Sequence, residues 1–462
     1  MDKCFPIITI FVAISFGAAV DKDVLDALGD GMDAFDTLNE EEFEKDFGIE
    51  PAEDPEEEAK RAEALDKNEE DVKKANEKFM EGEQTWWEAI NEFANLPEDE
   101  FEANHTGLFK NTTEYARGLL RIPVPVDEAS ERYLDQFRDS RADDVPASYD
   151  SNALGHVSPV KHQGSCGSCV AFSTMAVIET VIKKATGAEF GDYSEQQLVD
   201  CGYDGYYNNG CNGASEHGYV KWITDKKIEL TAEAWYPYKG TRNQCPSDLK
   251  HFNQGMFIRK YLLDLFDSLT ISGAEITNSF WTKEGDEETL KKLVAKHGAV
   301  VSTVMAAGPF QNYEGGIFGG CTGDALDHAI TVVGYGTENG QDYWLIKNSW
   351  GADWGEKGFI RLKRGVGMCG IGKEIAGVEC SNVGGVTDAP PTTQAPCEDK
   401  YTNCPELAEN KCFRFSEHCQ KSCGLCPGMT PAASNTCYDN YDNCADLCSW
   451  IPDQCKKSCG KC

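Results

Sequence analysis

Cysteine, histidine and asparagine occur in this chain in an order that suits nucleophilic catalysis. Cys169 closes the run Gln163-Gly-Ser-Cys-Gly-Ser-Cys169 and opens the stretch CVAFSTMAVIETVIKK, whose apolar spacing predicts a helix over 169–184. The thiolate is the nucleophile, so a reactive cysteine needs its pKa lowered. A helix N-terminus carries partial positive charge and orphan N–H groups, both of which favour a thiolate. Those N–H groups, with the side-chain amide of Gln163, have the chemistry to hold the oxyanion of an acyl-transfer intermediate. Alone, such a CGSC run is more often half of a disulfide or a metal ligand than a catalytic motif.

His328 lies in Ala325-Leu-Asp-His-Ala-Ile330 at the start of an apolar strand-like segment, and Asn348 in Lys347-Asn-Ser-Trp-Gly351 at the end of another. An asparagine amide oxygen accepts from one imidazole nitrogen and fixes the tautomer, which leaves the other nitrogen to exchange a proton with a thiol. Trp350 stands where it would shield that bond from water. A histidine at a strand start is also an ordinary structural residue. The three motifs in the order Cys, His, Asn specify far more than any one.

The positioning elements divide by type along the chain. The helical stretch comes first, whereas Ala329–Tyr335, Tyr343–Lys347 and Gly358–Leu362 are short, apolar and β-rich, with glycines between them. The expected class is α+β, a helical half packed on a sheet half. Upstream, residues 56–80 lack Gly and Pro and are rich in Glu, Lys and Ala, which predicts a long helix. An aromatic-rich segment with Trp86, Trp87 and Phe93 follows. Pro123, Pro125 and Pro146 mark 120–146 as an extended connector.

The 462 residues carry a net charge of -35, which argues against nucleic acid or an anionic membrane as partner. Residues 21–60 alone hold 17 Asp/Glu against three Lys/Arg, a solvated acidic run. Lys3, the apolar stretch Phe5–Phe16 and small residues Gly17 to Ala19 read as a secretory signal cleaved after Ala19. No later run is long and apolar enough to span a bilayer. Of the 21 cysteines, 12 fall within Cys397–Cys462, a density that belongs to an oxidising compartment. Asn104-His-Thr and Asn111-Thr-Thr are glycosylation sequons. Nothing in the pattern calls for a metal or cofactor.

Residues 384–396 form a Gly/Pro/Thr linker. Beyond it the cysteine intervals run 7, 8, 7, 4, 3 and then 7, 4, 7, 4, 3, a tandem repeat of units too small for a core without disulfides.

Gln163-Gly-Ser-Cys-Gly-Ser-Cys169, Cys211-Asn-Gly213, Asp327-His-Ala329 and Asn348-Ser-Trp-Gly351 together resemble the papain family over about 145–380. The resemblance implies two lobes, helical and β-barrel-like, with the site in the cleft between them. It implies Cys169 as nucleophile, His328 as general acid/base, Asn348 as its orienter and Gln163 as oxyanion donor, hydrolysing peptides through a thioester. It also implies substrate contacts at Gly213, Ala214, Glu216, Leu326, Trp350 and Glu374, and disulfides Cys166–Cys211, Cys201–Cys245 and Cys321–Cys369. Cys380 is left over, an exposed thiol or an intermolecular bridge. Glu374 either forms an acidic pocket floor that takes Arg or Lys as well as apolar side chains, or turns to solvent. Two positions depart from the family: Val170 replaces an aromatic residue, and Ala214 replaces a glycine. His328 and Asn348 also lie 159 and 179 residues beyond Cys169, a long separation that an insertion around 262–286 accounts for.

Glu57, Arg61, Leu65, Asn68, Val72 and Asn76 resemble the spaced pattern of cathepsin-L-like inhibitory prosegments, although helical spacing also suits plain core contacts. Asn91-Glu-Phe-Ala-Asn95-Leu, continuing to Glu100-Phe101, resembles the second motif of the same prosegments. The terminal repeats resemble ShK toxin-like (ShKT) modules. That likeness implies the pairs Cys397–Cys426, Cys404–Cys419 and Cys412–Cys423, then Cys437–Cys462, Cys444–Cys455 and Cys448–Cys459. Neither repeat has the Lys-Tyr pair of channel-blocking members, which leaves a binding module or a stabilising appendage.

The expected organisation is a signal peptide (1–19), an acidic extension and inhibitory prosegment (20–144), a peptidase domain (145–382), a linker (383–396) and two ShKT domains (397–426 and 437–462). The expected function is a secreted or lysosomal cysteine endopeptidase made as a zymogen. Its partners would be protein substrates, its own prosegment and a cell-surface or matrix ligand for the tail. The alternative is a catalytically weak scaffold or binding protein.

Overall fold

Asp54, Pro55 and three successive glutamates start the longest helix among the described residues. In the computed structural model, residues 40–382 are described apart from 50, 53, 109–125, 139–144, 188–190, 203–207, 247–273, 307, 322 and 324. The chain divides into two compact units, 1–385 and 386–462, and every described residue belongs to the first. The signal segment, Asn111, the linker and both cysteine repeats lie outside the described residues.

Helix α1 (Glu40–Phe47) precedes α2 (Pro55–Met80). The Asp54 side chain accepts from the Glu56 N–H, Pro55 needs no partner at the first helical position, and Glu56 to Glu58 meet the positive helix end. Only Leu65 and Val72 of α2 are buried, and Leu65 packs with Phe43 and Ala94. The other spaced positions of this face receive the chain as it returns. Arg61 bridges Glu57 and Glu100, both at 3.0 Å. Asn68 donates to the Ala94 carbonyl at 2.6 Å, and Asn76 exchanges two hydrogen bonds with the Glu88 backbone.

The returning chain forms β1 (Trp86–Glu88), α3 (Glu98–His105) and α4 (Glu128–Arg138). Helix α4 corrects the expectation of an extended connector over 120–146. The prolines lie outside 128–138, and within it Ser130, Tyr133, Leu134 and Phe137 recur on one buried face. Tyr133 stacks on Phe280 and its hydroxyl meets His297 Nε2 at 2.7 Å, while Lys292 donates to the Phe137 carbonyl.

The remaining elements are β2 (Tyr149–Asp150), α5 (Cys169–Thr186), α6 (Glu195–Cys201), α7 (Gly218–Lys226), β3 (Ala274–Thr282), α8 (Glu287–His297), β4 (Val300–Val304), β5 (Tyr313–Phe318), β6 (His328–Glu338), β7 (Gln341–Lys347), β8 (Phe359–Lys363) and β9 (Ile375–Asn382). The sheet runs β1-β5-β8-β7-β6-β4-β9-β3, with β2 paired to β6; only β5–β8 is parallel. Its central strands are apolar on both faces because each faces a different core. Ile330 and Val332 of β6, with Val300 and Val304 of β4, join the aromatic core of Trp344, Trp354 and Phe310. Ala329 and Val333 of β6, with Val301 of β4, join the core made by α5, α6 and α7. The period-two alternation of strands thus produces the two-lobed α+β architecture.

Strand β1 extends this sheet from the segment N-terminal to it. Trp86 and Trp87 pair with Gly316 and Gly315. A Cβ added at Gly315 would collide with the Trp87 indole. Gly315→Val should therefore loosen the upstream segment while leaving the rest of the sheet intact. Limited proteolysis at neutral pH should cut the upstream segment several-fold faster than in wild type, with the thermal midpoint of a chain starting at 145 unchanged within about 2 °C.

Candidate active site

Cys169 is the first residue of α5 and is fully buried. The helix therefore aims its free N–H groups at the thiol. The Ala329 N–H reaches Cys169 Sγ at 3.4 Å, which places the nucleophile candidate against the first residues of β6. His328, the first of these, presents Nε2 to Asn348 Oδ1 at 2.8 Å. The amide oxygen accepts, so Nε2 carries the proton and Nδ1 is the basic nitrogen; Nδ1 is buried with no hydrogen-bond partner. Trp350 lies 4.7 Å from the His328 ring and covers the bond to Asn348. Gln163 is held by its own oxygen, which accepts from the Ser349 hydroxyl at 2.6 Å. The four residues expected to do the chemistry are thus brought together from a loop, a helix start, a strand start and the position just past another strand.

A disulfide sets the opposite wall. Cys166–Cys211 ties the loop before the nucleophile to the strand-like run Asn212-Gly213-Ala214, and Gly167 donates to the Cys211 carbonyl at 2.9 Å. Cys201–Cys245 and Cys321–Cys369 are also formed. Cys380 is half-buried on β9 and outside these bridges. Val170 is fully buried on α5. Among the described residues no group of His, Cys, Asp and Glu is arranged to hold a metal, and no helix is long and apolar enough to cross a membrane.

Residues 105–108 lie through the cleft. The His105 carbonyl accepts from Gln163 Nε2 at 3.2 Å and from the Trp350 indole at 2.9 Å. Gly107 and Leu108 donate to the Asp327 carbonyl on one wall, and Ala214 on the other donates to the Gly107 carbonyl at 2.9 Å. Leu108 pairs with Ala214 in a parallel bridge and is buried in the same core as Ala214, with Leu326 packed against it. Glycine is required where these backbones cross, since a Cβ on Gly107 would overlap the Gly167 carbonyl. Phe93, Phe101 and the His105 ring close over Trp350.

Covering the site changes its electrostatics. Burial pushes the Cys169 thiol up to about 12, against the pull of the Ala329 N–H. Burial likewise lowers His328 to about 4, although its bond to Asn348 favours the charged form. Both groups are neutral, so the covered site lacks the thiolate that attack requires.

Beyond Ala214 the wall continues to Ser215, Glu216 and His217, all buried. Glu374 faces the same region rather than solvent, with its side chain 17% exposed. Burial raises Glu374 to about 7, and Glu216 adds to the shift. Of the glycosylation candidates, Asn104 is half-buried near the end of α3.

Residues 145–378 match the family model described as papain family cysteine protease, and 396–426 match ShK domain-like. The chain belongs to the papain family of cysteine proteases. The probable cysteine protease RD21C of Arabidopsis thaliana is 35% identical over 382 residues, covering 80% of this chain and 75% of that protein. Procathepsin L 3 of the Tenebrio molitor larval midgut is 29% identical with a TM-score of 0.56, covering 73% of this chain and 97% of the other. A recombinant stem bromelain precursor is 28% identical with a TM-score of 0.56, covering 73% and 97%. This papain-family chain is accordingly a cysteine endopeptidase made as a zymogen, and the segment in its cleft is inhibitory.

The motifs of the papain family did not single out His105, Gly107 or Leu108, because the segment they belong to reads as a plain sequon. The only available signal was the glycine that follows it.

His105 couples this zymogen to acid. Burial lowers it to about 4 in the docked state, with Glu92 opposing and His162 adding to the shift. A released histidine protonates near about 6.5. The released state therefore takes up more protons at this residue between these values, so the contribution of His105 to docking is fully present above about 6.5 and is lost as pH falls toward about 4. Glu88, raised to about 7 by burial, works the other way. His105→Phe keeps the ring packing without the proton. Conversion of that precursor should slow several-fold at about pH 4.5 relative to wild type and change little at pH 7, as followed by gel over time.

Proposed function

We propose that in the mature enzyme His328 Nδ1 takes the proton of Cys169, whose Sγ attacks the scissile carbonyl carbon of an extended peptide. Gln163 Nε2 and the N-terminal N–H of α5 hold the resulting oxyanion. His328 gives its proton to the leaving amine, which departs and leaves a thioester. The same imidazole then takes a proton from water, whose oxygen displaces the thiol and releases the acid product. Asn348 keeps the ring in the tautomer this requires. The observation that carries the reading is the His105 carbonyl, which sits against Gln163 Nε2 and the Trp350 indole as a substrate carbonyl would.

The backbone of Gly213 and Ala214 is the rail for substrate main chain. Ala214, Glu216, Leu326 and Glu374 form the pocket for the side chain two residues before the scissile bond. The position of Leu108 against Ala214 supports this. The signal-like N-terminus, the cysteine density and the three disulfides support an extracellular or lysosomal destination through the secretory route, with glycosylation at Asn104 and Asn111. The match of 396–426 to an ShK-like domain supports a tail that binds a cell-surface or matrix ligand. Comparing the full chain with one ending at Asn382 for retention on cells tests that role, and equal retention would remove it.

The active-site reading is checked with an epoxide thiol probe. Acid-processed protein should be labelled stoichiometrically at Cys169, and Cys169→Ala should abolish both labelling and peptide turnover. His328→Ala should lower kcat/KM by about 10³-fold or more. The unprocessed precursor should label far more slowly, because its thiol is covered and neutral.

A further inference from the structure

Lys283 follows the last residue of β3. It stands two positions beyond Trp281, in the bend that follows the strand. Trp281 is fully buried in the helical-lobe core and stacks face to face on His217, with ring centroids 3.8 Å apart and planes within 11°. That stack brings the end of β3 against the Ser215-Glu216-His217 wall. Lys283 Nζ then lies 3.9 Å from Glu216 Oε2 and 4.0 Å from Glu374 Oε1.

The two carboxylates are fixed, whereas the lysine is not. Glu216 is buried and held by His217 Nδ1 at 2.9 Å and by the Ser215 hydroxyl at 3.1 Å. Glu374 is pinned through its backbone, whose carbonyl accepts from the Ser302 hydroxyl at 3.0 Å. Lys283 is 45% exposed at its side chain, and no hydrogen bond locks it in place. One buried and one half-buried carboxyl group at the end of a pocket attract a cation, and here the chain supplies its own. A substrate Arg or Lys entering the pocket would have to displace this ammonium before it could pair with either carboxylate. An aliphatic side chain of the size of Leu108, which pairs with Ala214 in the precursor, needs no such displacement.

We propose that Lys283 is a tethered counter-ion that caps the acidic end of the specificity pocket and makes the enzyme select an apolar rather than a basic residue two positions before the scissile bond. This rests on the assignment of Glu216 and Glu374 to that pocket.

The test uses mature enzyme whose active sites are counted with the epoxide probe. Two peptides are compared that differ only in Leu or Arg at that position. Lys283→Met should raise the Arg-to-Leu ratio of kcat/KM about two- to fivefold, the scale of one partly screened ion pair. The gain should appear in KM for the Arg peptide. Lys283→Arg, which keeps the charge, should hold the wild-type ratio, and Lys283→Met with Glu374→Gln should lose the gain. A ratio unchanged by Lys283→Met but lowered by Glu374→Gln overturns the counter-ion and leaves the pocket assignment standing. A ratio unchanged by Lys283→Met, by Glu374→Gln and by the two together overturns the pocket assignment and the proposal with it.

Discussion

Desolvation of the Cys169–His328 pair is the constraint on which the rest of the precursor depends. A thiolate and an imidazolium are stabilised by each other, by the end of α5 and by water. In the buried site neutral forms win: burial holds the thiol up to about 12 and the imidazole down to about 4. The precursor is silent by electrostatics as well as by obstruction. No catalytic residue has to move from its place, since the His328–Asn348 bond and the Gln163–Ser349 bond are already made.

Such a cover must bind tightly without being a substrate, and its design follows from that. Its affinity is spread over surfaces remote from the sulphur. These include the face of α2, the β1–β5 pairing and the aromatic cluster over Trp350. Within the cleft it uses main-chain hydrogen bonds to both walls, which a passing substrate would also use, and runs parallel to the Ala214 backbone. Glycines at 107 and 167 let the two chains approach more closely than side chains would permit.

The pocket beyond Ala214 shows the same balance of buried charge. Glu216 is held below the usual carboxylate range although burial opposes it, because His217 and Lys283 face it; Glu374, further from compensation, is raised. Carboxylates placed in this way need partners from the protein: His217, stacked on Trp281, hydrogen-bonds Glu216, and Lys283 from the end of β3 faces both.

Local chemistry was legible in the sequence. The nucleophile run, the His and Asn at strand boundaries, the long capped helix over 55–80 and the late apolar strands all depend on short-range spacing, which the chain carries in itself. The connector over 120–146 misled because flanking prolines are stronger local signals than the i, i+3, i+4, i+7 face of Tyr133 and its neighbours, and only packing on β3 and α8 makes that face pay off as helix α4. What occupies the cleft, whether Glu374 faces a pocket or water, and that Lys283 meets both Glu216 and Glu374 were decided by tertiary structure alone. These contacts join residues some 58 to 245 positions apart, and no local pattern encodes which distant backbone will exclude water from a given side chain.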